Sequence, residues 1–154
     1  MIQRIQTLHL LVIVILMTLV TLMPIVNFTT LGESFVLKIF GVISKEGAYI
    51  VKTPFMGIAA ILCLAIPLVT IFLYKRRILQ IRLCVVEMVL LAGLQLFMIM
   101  YLFRTHSTLE YGMKHLVKYS FTVILPLISI ILAYFAYRSI LKDEIIIASE
   151  RRLR

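Results

Sequence analysis

Few side chains in this sequence have the chemistry to act on another molecule, and fewer are spaced to act together. Glu87 is the most unusual, because it stands inside an apolar run, "LCVVEMVLLAGLQLF". An ionisable group inside such a run costs several kcal/mol unless it finds a partner or faces water. At matching depth the first apolar run offers His9, and the last offers Arg138 with Tyr137 beside it. These four make a polar cluster near one end of the runs, with Glu87 charge-paired to Arg138 or hydrogen-bonded to His9. Gln95 is the strongly polar candidate near the midplane. A Glu–His pair can relay protons, but a relay needs a route to the far side, and only Gln95 lies along it. A clasp joining three helices is the plainer reading.

The remaining chemistry is sparser still. His106, Glu110 and His115 crowd one polar segment, yet on a helix only His106 and Glu110 share a face, and zinc needs three or four converging ligands. No metal site is expected. Cys63 and Cys84 lie inside apolar runs without a C-x-x-C, so they read as small packing residues. The sequence holds no P-loop, H-E-x-x-H or G-x-S-x-G pattern, and Ser129 has no base at its own depth. No enzyme and no cofactor are expected.

The elements that must position these residues are apolar and long. The hydrophobic share is 62% of 154 residues and the mean hydropathy is +1.08, far above a soluble domain. Four runs approach the roughly 20 residues that cross a bilayer, at about residues 5–26, 54–74, 83–103 and 120–141. The first is too long for the apolar core of a signal peptide. Pro54 suits a first helical turn, and Pro126 reads as a kink inside the fourth run.

Cations set the orientation. A formal charge of +9 would suggest nucleic acid in a soluble protein, but here the basic residues gather at the ends of the apolar runs. No nucleic-acid partner is expected. With the N-terminus cytoplasmic, the inner side holds Arg4, Lys75, Arg76, Arg77, Arg82, Arg138, Lys142, Arg151, Arg152 and Arg154. The outer side holds Lys38, Lys45, Lys52, Arg104, Lys114 and Lys118 in longer segments. Both termini are therefore placed inside. Residues 75–82 form a tight cytoplasmic hairpin held near anionic lipid headgroups.

In the first outer loop, residues 27–53, "SFVLKIF" and "AYIVKT" flank the turn signal "SKEG", which predicts a short antiparallel hairpin. It either caps the helices or docks a partner. The second outer loop covers residues 104–119. The tail, residues 142–154, continues the fourth helix, and Ile145, Ile146, Ile147 and Leu153 lie on the membrane surface or hook a partner. The predicted fold is an all-α membrane protein, a four-transmembrane-helix bundle with N-in/C-in topology and that one β-hairpin.

Three stretches carry a resemblance: "MIQRIQTLHLLV", "KRRILQIRLC" and "KDEIIIASERRLR". Together they resemble an uncharacterised family of short four-span inner-membrane proteins of Bacteroidetes-type bacteria. Its members open with MIQRIQT, carry LQ-x-RL between spans two and three, and end close to ADRLR; this chain departs from the last element at Glu150 and Arg151. The resemblance implies a bacterial inner-membrane location and no activity. It directs attention to Gln3, Arg4, Gln6, Gln80, Arg82, Arg152 and Arg154, beside Lys75, Arg76 and Arg77 of the hairpin, as a cytoplasmic face. The expected role is a non-enzymatic accessory or scaffold subunit that engages a larger membrane or cytoplasmic complex through that face. The alternative is a small oligomeric transporter or channel using Glu87, His9 and Gln95.

Overall fold

The computed structural model describes residues 2–30, 33–44, 49–74, 76–109 and 116–152. Four helices alternate with strands: α1 (Ile2–Leu22), β1 (Val26–Thr30), β2 (Glu33–Lys38), β3 (Gly41–Ser44), β4 (Tyr49–Lys52), α2 (Pro54–Phe72), α3 (Arg77–Leu109), β5 (Leu116–Tyr119) and α4 (Leu125–Arg152). Three segments are long and apolar enough to cross a membrane: Pro54–Phe72, Arg77–Thr105 and Phe121–Ile146. Gln6–Leu22 is also apolar but shorter. The helices pack cyclically, α1 on α2 and α4, and α3 on α2 and α4.

One spacing governs all four contacts. The buried residues of α1 are Gln6, Leu10, Ile13, Met17 and Val20; the seam of α3 runs Gln80, Cys84, Glu87, Leu91, Leu94, Met98, Tyr101 and Thr105, with Gln95 buried beside it. The steps alternate four and three, as they do for Met56, Ala60, Cys63, Pro67 and Thr70 on α2 and for Ala133, Ala136, Ile140 and Asp143 on α4. Such a repeat keeps one seam of each helix against its neighbours and favours left-handed packing. The outward faces are just as apolar, for example Leu8, Ile15, Ile61, Val89, Leu96 and Ile131, all exposed. Hydroxyls on the helices are satisfied locally: Thr18, Thr21, Thr70, Thr105 and Ser129 each donate to the carbonyl four residues earlier. That is the economical solution where water is absent.

The strands depart furthest from expectation. In place of one hairpin there is a five-stranded antiparallel sheet in the order β4-β3-β2-β1-β5. "SFVLKIF" and "AYIVKT" do supply strands, β2 and β4, but they do not pair with each other, because β3 lies between them. The β2–β3 reversal falls at Ile39 and Phe40, and residues 45–48 of the "SKEG" segment lie outside the described residues. β5, from the second outer loop, pairs with β1 from the first. Val26, Phe28, Phe35, Leu37 and Val42 share one face through their cross-strand partners and join the core of the helices.

Helix ends also differ from the predicted ones. α1 stops at Leu22 because β-branched and polar residues after Pro24 enter β1. α3 begins at Arg77, so most of the predicted 75–82 hairpin is helix and the turn shrinks to Leu73–Arg76, closed by Arg76 N–H to Leu73 O at 2.9 Å. Pro126 is the second residue of α4, where its missing N–H is harmless, so it makes no kink. The proline inside a helix is Pro67 in α2.

The sheet is joined to α2 at one close contact. Thr53 is fully buried and its hydroxyl donates to Ile39 O at 2.9 Å, while Thr53 N–H donates to Phe40 O at 3.2 Å. The Phe40 ring then lies against Gly57, where an added Cβ would come within 2.7 Å of the ring.

Candidate functional site at the polar end of the helices

The first turn of α1 and the last turns of α4 lie at the end of the helices opposite the sheet, and there the buried seams turn polar. Each helix contributes one residue: Gln6 from α1, Thr70 from α2, Gln80 from α3 and Asp143 from α4, all at most 8% exposed. Gln6 Nε2 donates to Asp143 Oδ2 at 2.6 Å, which ties α1 to α4. Gln80 Nε2 donates to Thr70 O at 2.9 Å, which ties α3 to α2. The Thr70 carbonyl is one of the last four of its helix, the group that a helix cannot satisfy itself, so Gln80 caps α2 from the helix that follows. Hydrogen bonds of this kind hold helices together where apolar burial provides no driving force.

Two steps further along each seam are Ile13, Cys63, Glu87 and Ala136. Glu87 is 1% exposed, and neither carboxylate oxygen has a hydrogen-bond partner among the described residues. Its layer offers little to it, since Ile13 and Ala136 have no polar group and the Cys63 thiol is only a weak donor. The expected pairing with His9 or Arg138 is not made. Arg138 is exposed, two residues past the seam position Ala136, and Tyr137 is half-buried. His9 stands one residue before the seam position Leu10, with its ring centroid 6.3 Å from that of Phe135 on α4. Four residues expected to cluster therefore occupy the core, the helix flank and the outer surface. Gln95 is buried beside Leu94, and its Oε1 likewise lacks a partner among the described residues.

The basic residues at this end divide by direction. Arg76 and Arg82 are exposed and Arg77 is half-buried, while Gln6 and Gln80 turn inward. Lys75 and Arg154 lie outside the described residues, as do Glu110 and His115 and the side chains of Gln3, Arg4, His106 and Arg152. Among the described residues no group of three or more His, Cys, Asp and Glu could hold a metal ion. Between α1 and the α2–α3 turn a groove of about 480 Å³ opens, lined by Gln6, Leu11, Ile71, Tyr74, Arg77 and Gln80 among others.

Asp143 and Thr70 were not singled out by the sequence, although a signal existed. Continuing the seam of α4 by three from Ile140 reaches Asp143, and continuing that of α2 by three from Pro67 reaches Thr70.

The chain belongs to the family described as "Domain of unknown function (DUF4293)", which it matches over residues 2–153. No curated protein matches it in sequence.

Proposed function

We propose that this member of a family of unknown function is a non-enzymatic, multi-pass protein of the bacterial inner membrane, an accessory or scaffold subunit. Its four helices form a membrane bundle with both termini cytoplasmic. Although the apolar part of α1 is short, at 1.5 Å per residue Gln6–Leu22 still spans about 25 Å, and α1 packs between α2 and α4 as the longer helices do. The sheet that joins both inter-helix segments puts them on one side, so the helix termini that carry Gln6 and Asp143 share the other. The excess of Lys and Arg at that end supports a cytoplasmic assignment.

The observation that carries the accessory reading is how polar groups are allotted at this end. The amides of Gln6 and Gln80 hold the helices to one another, which leaves Arg76 and Arg82 outward for a larger partner. The test is native extraction followed by mass spectrometry and cross-linking. A stoichiometric larger protein, cross-linked near Arg76 or Arg82, is expected; a particle made only of this chain removes the reading.

A second reading, an oligomeric transporter or channel, is favoured by one observation, the unpartnered carboxylate of Glu87. It requires proton or solute flux in vesicles that is lost in Glu87→Gln. Equal flux in both proteins, or none in either, rejects it.

A further inference from the structure

We propose that the groove between α1 and the α2–α3 turn is a binding site for one anionic phospholipid. This rests on the membrane-spanning reading above but not on any protein partner. Three features of the groove point to such a ligand. Its volume, about 480 Å³, lies within the usual range for a small-molecule site. Its lining is mixed, with Leu11 and Ile71 apolar and the amides of Gln6 and Gln80 polar beside the cationic Arg77. Its mouth opens sideways, since Leu8 and Leu11 on α1 and Tyr74 after α2 are all substantially exposed.

Arg77 decides the sign of the ligand. It is half-buried in the groove wall and has no carboxylate partner among the described residues. A guanidinium in that position is matched by a phosphate oxygen, which it binds with charge-assisted hydrogen bonds. Each neighbouring amide uses one N–H within the helices, Gln6 toward Asp143 and Gln80 toward Thr70. A second N–H remains on each nitrogen, available to the phosphate or glycerol oxygens. An acyl chain leaving the headgroup would pass Ile71 at the level of the amides and run along Leu11 of α1 into the bilayer. Arg76 is the internal contrast, because it carries the same charge on the adjacent residue, is exposed and does not line the groove.

The test uses the full chain, purified in detergent and stripped of lipid, with native mass spectrometry as the readout. Phosphatidylglycerol and phosphatidylcholine of matched acyl chains are the probes. One phosphatidylglycerol per chain should be retained, about tenfold more tightly than phosphatidylcholine, a ratio in keeping with one charge-assisted contact. Arg77→Gln should lose most of that preference, and Arg76→Gln should keep it. Leu11→Trp, which fills the apolar wall without changing charge, should lower retention of phosphatidylglycerol. Equal binding of the two lipids, or equal losses in Arg77→Gln and Arg76→Gln, overturns the site in favour of a diffuse basic rim. Retention unchanged in Leu11→Trp overturns the acyl-chain placement and with it the groove. A chain that stays monodisperse without detergent would instead sink the membrane reading.

Discussion

A carboxylate at position 87 shares its layer with Ile13, Cys63 and Ala136 and has no hydrogen-bond partner among the described residues. Burying such a group costs free energy that packing does not return. Replacing Glu87 with Leu should therefore raise stability, by about 1 kcal/mol or more, read as a higher melting temperature in detergent. An unchanged or lower melting temperature would mean that the carboxylate has a partner supplied from outside the chain. The polar layer should behave in the opposite way. Asp143→Ala leaves the Gln6 amide without its acceptor, at a cost of roughly 1–3 kcal/mol. Gln6→Leu combined with Asp143→Leu should cost less than the sum of the single changes, because both polar groups leave together. Additive losses in that double-mutant cycle would show that the two residues act separately.

Among elements, the contact of the sheet with α2 is the most exacting. Gly57→Ala places a methyl where the Phe40 ring lies, and overpacking of this sort costs typically 1–3 kcal/mol. Combining it with Phe40→Ala should restore part of the loss, and a failure to do so would place the strain elsewhere. The second outer segment is expected to be locked to the first through Asn27 and Lys118, cross-strand partners in β1 and β5. Cysteines at these two positions should oxidise readily, since antiparallel partners sit at the Cα separation that a disulfide needs. Absence of the cross-link under oxidation would remove β5 from the sheet.

These same elements show how far the sequence could be read. The apolar runs of α2, α3 and α4 were legible, since nothing else explains so many consecutive apolar residues. β2 and β4 were legible from their β-branched and aromatic content. β1, with "VNFTT", and β5, with "LVKY", were not: each is short, and their stability comes from pairing with each other across the length of α2 and α3. The start of α3 was hidden by Arg77 and Arg82, which read as a loop until Gln80 is seen to point inward between them. The same reading found Glu87 but not its isolation, because residues at equal depth need not face each other.

At the scale of the whole molecule, most polar groups are gathered at the two ends, and between them the seams are apolar apart from residues such as Glu87, Gln95 and Ser129. One end is covered by a sheet whose inner strands pair on both sides, and the other is closed by two amide hydrogen bonds between helices. Such a molecule should keep its fold in high salt, because the hydrogen bonds that hold it are shielded from solvent. Any engagement through Arg76 and Arg82 should weaken as salt rises. Parallel measurement of melting and of partner retention between about 0.1 and 0.5 M salt, a range that roughly halves the screening length, separates the two. A melting temperature that falls together with retention would contradict this division of labour.

The strand order carries a consequence for how the protein is made. In the proposed topology β1 would be among the first parts of the chain to cross the membrane, and the strand that pairs its second edge, β5, would follow only after two further helices. Until then β1 presents unpaired backbone, the kind of edge that recruits other strands. The sheet thus records whether insertion has finished. In the proposed topology a chain arrested after α2 would leave β1 as the edge of the sheet, whereas in the complete chain β1 is paired on both sides and β5 takes the edge position. The identity of the edge strand, β1 or β5, would therefore distinguish an arrested chain from a complete one.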